Sequence, residues 1–289
     1  MHYVNVKSIL SPKNGMNLYR GCTHGCIYCD SRSNFYNMNH EFNDVEVKKN
    51  SLELLKKALR NKKEKCMIGT GSMTDPYMPL ESELKYIRQS LKIINNYGHG
   101  FTCITKSDLI LRDIALLSKI NQDAKTVVQM TLTCIDDDIS KIIEPNVINT
   151  NKRIKVLEKF QEENIPTVVW LCPVLPYITD NKENIESIIE ACIALDVKGI
   201  ICFGMGMTLR DGNREYFYKK LDEHFPNLKK KYIKEYGNKY NIASPNNKEL
   251  MSYFMNKTRK NDIMNKPSDI FNYLSTIPKK DKTRQSTLF

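Results

Sequence analysis

Nowhere in its 289 residues does the chain carry a run of about 18 apolar residues, so no segment is built to cross a bilayer as a helix. The first residues, Met1-His2-Tyr3-Val4-Asn5-Val6-Lys7, lack the apolar stretch of a secretory leader. The two absences together give a cytoplasmic expectation, with no membrane partner. There is no low-complexity tract, and no internal repeat beyond a strand–helix unit. A disulfide framework is also missing: the nine cysteines are odd in number and scattered. Acidic residues are in short supply, 33 against 44 Lys/Arg, for a net charge of +11. The shortage is local. Residues 208–289 hold 18 of the basic and 9 of the acidic residues, which leaves 26 and 24 for 1–207. A nearly neutral body therefore carries a basic C-terminal third. Nucleic acid is the partner such charge attracts without reading sequence, and a basic face that serves only solubility is the plainer alternative.

What is present is a regular alternation. Six β-like runs occur at Met16–Cys22, Cys66–Ser72, Phe101–Ser107, Thr126–Cys134, Pro166–Val174 and Gly199–Met205. Their near-continuous apolarity suits strands buried on both faces of a parallel sheet. Helical patterns fall between them at Ser51–Asn61, Glu81–Asn96, Asp108–Lys119, Thr150–Asn164 and Asn181–Asp196. Ser107 or Asp108 can cap the third of these, and Gly98 follows the second. This alternation is an α/β pattern that fits a partial (β/α)6 TIM-type barrel, and spacing alone leaves a doubly wound sheet open. In both, chemistry belongs at the C-terminal ends of the strands. After Met207 the pattern becomes helical, at Arg210–Phe225, Leu228–Tyr236 and Asn246–Lys260. The expected organisation is a barrel over 1–207, a basic helical extension over 208–261, and a mostly irregular, flexible tail over 262–289 whose few apolar points include Ile270, Phe271, Tyr273 and Leu274.

The densest chemistry lies at the end of the first strand. Cys22-Thr23-His24-Gly25-Cys26-Ile27-Tyr28-Cys29-Asp30 places three cysteines in eight residues, spaced C-x3-C-x2-C, with an aromatic before the third. Thiolates suit zinc or iron–sulfur clusters. A closed zinc site wants four protein ligands, so three local cysteines leave a four-iron cluster with one iron open to something else. A zinc site completed by His24 or a distant residue, and three unconnected thiols, are the competing readings. Cys66, Cys103, Cys134, Cys172 and Cys202 lie in apolar runs and read as small hydrophobic core residues.

The cysteine spacing with its aromatic resembles the signature of the radical SAM superfamily. The longer string Asn17-Leu18-Tyr19-Arg20-Gly21-Cys22 through Asp30 resembles its spore photoproduct lyase-like branch, the "DNA repair photolyase" group. So does Gly69-Thr70-Gly71-Ser72-Met73-Thr74-Asp75-Pro76-Tyr77-Met78-Pro79-Leu80-Glu81 at the end of the second strand. The resemblance implies a partial barrel, a [4Fe–4S] cluster on Cys22, Cys26 and Cys29, S-adenosylmethionine (SAM) on the remaining iron, an external electron donor, and a 5′-deoxyadenosyl radical from reductive cleavage of SAM. It implies cofactor contacts from Tyr28, from Gly69, Thr70, Gly71, Ser72 and Asp75, and from Glu144 and Arg153. On residues alone, Arg153 reads equally as a surface helix residue, and Pro79 and Glu81 as a helix start. Lys106, a cation at the third strand's end, is where a SAM carboxylate could reach. Thr131 and Thr133 alternate on one face of the fourth strand, as cofactor contacts or as satisfied core hydroxyls. Arg210 is a candidate for a substrate phosphate. One departure stands out: the lyase places a hydrogen-donating cysteine near the second-strand motif, and Gly71-Ser72-Met73 offers no thiol.

The expected function is thus a radical SAM enzyme of lyase-like type, acting on nucleic acid in DNA repair or modification. The alternatives are a radical SAM enzyme for a peptide or small metabolite, and a non-enzymatic zinc-stabilised nucleic-acid-binding protein. At the C-terminus, Gln285-Ser286-Thr287-Leu288-Phe289 resembles the Q-x-x-L-F peptide that binds bacterial sliding clamps, with Gln285, Leu288 and Phe289 as its contacts.

Overall fold

The β-branched and apolar runs pair as the alternation predicts. In the computed structural model, which describes residues 1–278, five parallel strands form one sheet in sequential order. They are β4 (Met67–Thr70), β5 (Gly100–Thr105), β6 (Thr126–Thr131), β7 (Thr167–Trp170) and β8 (Gly199–Ile201). Register aligns Cys103 with Val128 and Met130 with Val169. Helices α1 (Ser51–Arg60), α2 (Glu81–Leu84), α3 (Tyr86–Asn96), α4 (Ile114–Asp123), α5 (Asp137–Ile143), α6 (Thr150–Glu162) and α7 (Lys182–Ala194) connect the strands. Their apolar faces cover the sheet: Leu91, Leu117, Leu157 and Ile188 are fully buried with Phe101, Cys103, Val128, Met130, Val169 and Ile200. The result is an α/β partial TIM-type barrel.

Side-chain caps set the helix starts. Asn149 and Asn181 accept from the backbone N–H of Lys152 and Asn184, at 3.0 and 2.9 Å. Asp136 accepts from Asp138 and Ile139, both at 2.9 Å, and opens α5, a helix the sequence pattern did not disclose. Ser107 caps as expected, but it opens a 3-10 helix, Asp108–Asp113, and α4 begins only after that.

Two expectations are corrected. The first strand does not run as one piece from Met16 to Cys22. Gly15 bridges Gly69 in parallel and Met16 N–H donates to Gly69 C=O at 2.7 Å, so this segment touches the barrel edge only briefly. The chain then turns off into a small separate sheet, where β2 (Tyr19–Arg20) pairs antiparallel with β3 (Glu46–Lys48), and β3 pairs with β1 (His2–Val4). The second concerns residues 262–289. Residues 267–275 are not irregular: they form α11 (Pro267–Ser275), with proline in the first turn. So short a helix has little stability alone. Its partner supplies it: Ile270 and Leu274, one turn apart, bury against Met67, Val127, Val168 and Ile201. These strand residues lie on the other face from the helix-covered ones, so α11 fills the concave side of the partial barrel, touching β4 and β8. The remaining extension is β9 (Gly206–Thr208), α8 (Asn213–His224), α9 (Leu228–Tyr236), β10 (Asn241–Ala243) and α10 (Asn247–Lys260), with β9 and β10 paired antiparallel. Among the described residues no helix is long and apolar enough to cross a membrane. Gln285, Leu288 and Phe289 lie outside the described residues.

The α11 packing makes a direct prediction. Ile270→Ala should lower stability in urea by about 2–4 kcal/mol, as for other fully buried aliphatic truncations. A loss under about 0.5 kcal/mol, the size of a neutral surface change, would show that the helix contributes nothing to the fold.

Candidate active site

Gly21 makes the cysteine loop possible. Its φ is +90°, and a Cβ there would meet Phe42 O at 2.6 Å. This lets Cys22 N–H donate to Phe42 C=O at 3.0 Å. The loop is then tied down at several points. Cys29 N–H donates to Cys26 C=O (3.3 Å), Ile27 N–H to Ile143 C=O (3.0 Å), and the Asn146 amide to Thr23 C=O (2.9 Å). Cys22 and Cys26 are buried and Cys29 is half-buried; none is in a disulfide. Burial pushes the Cys22 and Cys26 thiols up to about 12. Buried thiolates therefore need a cationic centre, and three soft donors on one anchored loop fit one. A single tetrahedral zinc would draw thiolates to about 3.8 Å apart at its 2.3 Å bonds. Among the described residues, three donor atoms within 4.8 Å of one another are gathered at His2, His40 and Asp44, not at the thiols.

Behind the loop sits a buried charge network. Tyr28 OH donates to Glu144 Oε1, and Arg153 donates to Glu144 Oε2 and, at 2.7 Å, to Thr131 C=O. Thr133 Oγ1 lies 3.5 Å from Glu144 Oε1. The Glu144 and Arg153 side chains are fully buried, so Arg153 is no surface residue. Burial would raise the Glu144 carboxyl, but Arg153 and Lys106 hold it below its ordinary value. Burial would lower Lys106, but Cys26, Glu144 and Asp75 hold its ammonium above the ordinary range. Burial and then Glu144 push the Tyr28 phenol well up, so Tyr28 is a neutral donor. Lys106 Nζ is 5.9 Å from the Tyr28 ring centroid.

The glycine-rich segment after β4 divides its labour. Asp75 Oδ1 accepts from Tyr77 N–H (2.9 Å) and Thr105 Oγ1–H (2.8 Å), and Oδ2 accepts from Lys106 N–H (2.8 Å). His24 Nδ1 is 3.4 Å from Oδ2, and burial lowers the His24 pKa, keeping the ring neutral. Asp75 thus pins the ends of β4 and β5 to the cysteine loop. Gly71, at φ +99°, brings its backbone against Ile104, whose carbonyl a Cβ would meet at 2.2 Å. Gly69 spends both backbone groups on Asn14 and Met16, and Thr70 is buried. Glu81 is no simple helix start. It is fully buried and accepts from Tyr19 OH (2.5 Å) and Arg112 (2.8 Å).

Ser72, Tyr28 and Cys29 open on a cleft of about 670 Å³ at the C-terminal ends of β7 and β8. Cys172, two residues past the end of β7, also lines it and is half-buried, which corrects its reading as core. Cys103, Cys134 and Cys202 are buried as expected, while Cys66 is only half-buried. Arg210, expected to await a phosphate, instead places Nε 3.2 Å from Asp30 Oδ1, with its guanidinium 4.5 Å from the Phe35 centroid and 4.7 Å from that of Tyr240. Asp30, which sequence reasoning passed over, also accepts from Thr208 Oγ1–H (3.0 Å) and Tyr36 OH (3.1 Å), and so joins the cysteine loop to β9.

Breaking the buried pair has a predictable cost. Glu144→Gln leaves Arg153 unpaired in the interior and should cost roughly 3–5 kcal/mol of stability. The pH dependence follows from the lowered carboxyl. The Glu144 contribution is complete above its ordinary value of 4.5 and is lost as pH falls through its lower folded value. Urea melts of wild type and variant between neutral and acid pH check both. The two curves should converge at low pH, and a constant gap would contradict the assignment.

The Radical SAM superfamily model matches residues 16–192. An uncharacterized protein of Mycobacterium tuberculosis is 27% identical over 229 residues, 76% of this chain and 66% of its own length. One of Methanocaldococcus jannaschii is 32% identical over 179 residues, 61% of this chain and 66% of that protein. One of Acidianus two-tailed virus is 24% identical over 258 residues, covering 81% of this chain and 82% of the relative. The chain thus spans just under two thirds of the mycobacterial and methanogen relatives. Among solved structures, a spore photoproduct lyase mutant superimposes with a TM-score of 0.63 at 11% identity, over 91% of this chain and 80% of the lyase. The lyase complexed with dinucleoside spore photoproduct does so with 0.59, at 11% identity, over 86% and 74%. These likenesses establish a shared fold. With a family model covering more than half of its length, the chain belongs to the Radical SAM superfamily, a family that implies an iron–sulfur cluster and S-adenosylmethionine.

Proposed function

We propose that Cys22, Cys26 and Cys29 hold a [4Fe–4S] cluster whose remaining iron takes SAM, and that the enzyme acts on nucleic acid. The observation that carries the first part is the loop itself: three free thiols on one anchored loop, with Cys29 lining the cleft and the half-buried Lys106 ammonium nearby. Reduced by an external donor, such a cluster would supply the electron for reductive cleavage of SAM to methionine and a 5′-deoxyadenosyl radical. The chain's part is to bind and orient. Lys106, half-buried and held charged by the acids around it, is the proposed counter-charge for the SAM carboxylate. Ser72 and the backbone at Gly71 are the proposed polar contacts on the cleft side. Glu144, Arg153, Thr131 and Thr133 act one step back, by fixing Tyr28 and the charge state of Lys106. Asp75, Thr70 and Gly69 fix the strand ends from which these groups project. Burial of the network excludes water from the reacting region.

The nucleic-acid part rests on the basic C-terminal third and on the lyases of the same fold that hold a dinucleoside lesion. Membership in an enzyme family leaves the non-enzymatic zinc alternative without support. The tail peptide Gln285-Ser286-Thr287-Leu288-Phe289 is proposed to recruit the enzyme to a DNA sliding clamp.

Anaerobic reconstitution tests the site. The wild-type protein should bind about four irons, show a broad band near 400 nm, and form 5′-deoxyadenosine from SAM when reduced. Each of Cys22→Ala, Cys26→Ala and Cys29→Ala should abolish both signals, whereas Cys192→Ala and Cys202→Ala should keep them. A cluster that survives Cys29→Ala but not Cys202→Ala refutes the ligand set. For the tail, a 281–289 peptide should bind the host clamp with micromolar affinity by fluorescence polarisation. Equal binding by the Leu288→Ala/Phe289→Ala peptide would remove that proposal.

A further inference from the structure

The cleft beside Cys29 has an aromatic wall that the proposed cofactor roles leave unused. Trp170, at the end of β7, lies 6.1 Å from the centroids of both Phe203 and Phe271, at 61° and 60°. Phe203 and Phe271 stack on each other at 6.3 Å and 25°. Phe203 follows β8 and is 64% exposed; Phe271 stands on α11 and is 42% exposed. Large apolar rings on a loop past a strand end are normally tucked in, and two exposed rings in register with a third mark a contact surface.

The platform is rigidly held. Trp170 Nε1–H donates to Gln129 Oε1 at 2.8 Å, Gln129 Nε2–H to Thr102 Oγ1 at 2.7 Å, and Thr102 Oγ1–H to Val127 C=O at 2.8 Å. Ile270 and Leu274 anchor α11 on either side of Phe271. These contacts hold Trp170 and the helix that carries Phe271, and Phe203 packs against both rings.

The surroundings identify the occupant. The cleft holds one acid, Asp30, and Thr208, Tyr36 and Arg210 already engage it. Asn241 and Asn247 line the same wall. Asn247 Oδ1 accepts from Met205 N–H at 2.8 Å, which leaves its amide N–H groups to face a ligand. The exposed Lys239 and Lys248 flank this β10–α10 segment, inside the basic third of the chain. Flat apolar rings, amide edges and nearby cations without a free carboxylate match a planar base on a phosphate backbone. An apolar protein surface would use the rings but not the amides or the charge.

We infer that Trp170, Phe203 and Phe271 form a stacking platform for an unpaired nucleobase, so that the substrate is single-stranded or presents an extruded base. This rests on the nucleic-acid reading above and narrows it. A base inside a duplex already has both faces stacked and cannot reach a ring beside a buried cluster loop.

The chain's single tryptophan is Trp170, so the site reports on itself. Reconstituted holoprotein is titrated with an oligothymidylate of about 12 nucleotides, within the usual site size of single-strand binders. Trp170 emission should be quenched in a saturable way, and the midpoint should move to higher concentration with added salt. A duplex of the same length should bind more weakly. Phe203→Ala, with its folding checked by circular dichroism, should raise Kd about five- to a hundredfold, the range of one lost base–aromatic stack. Tyr3→Ala, another exposed aromatic but on β1, should leave Kd unchanged. Unchanged emission throughout the titration, as an apolar protein partner would give, or an equal Kd for Phe203→Ala, overturns the inference. Formation of 5′-deoxyadenosine from SAM by the wild type without oligonucleotide separates the two levels. If cleavage is present and quenching absent, the platform fails; if cleavage is absent, the proposed function fails first.

Discussion

The Glu144–Arg153 pair is the interaction on which the site depends. Neither side chain reaches solvent, and each would be costly alone. Together with Asp75 and Lys106 they place two acids and two cations behind the cysteine loop. Each member has a structural duty besides its charge. Arg153 also holds the end of β6 through Thr131 C=O, Glu144 holds Tyr28, and Asp75 holds β4 to β5 and faces His24. The loop that carries the thiols is thus clamped from three strand ends at once. A thiol loop with no such support would be free to rearrange or to form disulfides; here backbone and side-chain bonds tie it down at several points.

The concave side of the barrel needs a different solution. A partial barrel exposes an apolar inner face between its first and last parallel strands. Helix α11 covers it, and through Phe271 extends the cover into an aromatic wall that ends beside the cleft. Fold stability and the aromatic wall therefore share one short helix. The helix interacts with residues far from it in sequence: Lys125, at the start of β6, donates to the Thr276 carbonyl at 3.1 Å and places Nζ 3.6 Å from the Tyr273 ring centroid.

The parts legible in the sequence were those that depend on short-range pattern. The parallel strands β4 to β8 could be read because strands buried on both faces must be apolar throughout, and that leaves a continuous signal. The cysteine loop could be read because its three donors lie within eight residues. Residues such as Asp30, Glu81 and Cys172 could not be weighed in this way, since a lone polar residue or thiol looks the same whether it is solvated, paired or aimed into a cleft. Arg153 is the clearest case. Its place on α6 is plain from periodicity, but only the position of Glu144 beyond the preceding turn makes the inward face tolerable for a guanidinium.

By itself, the sequence determined the five parallel strands and most of the helices between them, the basic C-terminal third, and the cluster of three thiols, because each is a local property of composition or spacing. Tertiary structure alone decided that Met16 only touches the barrel before the chain leaves it, that residues 267–275 become helical, and that Trp170, Phe203 and Phe271 meet at one wall. The reason is the same throughout. A helix of nine residues or a strand of two gains too little from its own hydrogen bonds to exist alone. It forms where distant apolar surface completes it, and that surface is known only once the chain has folded.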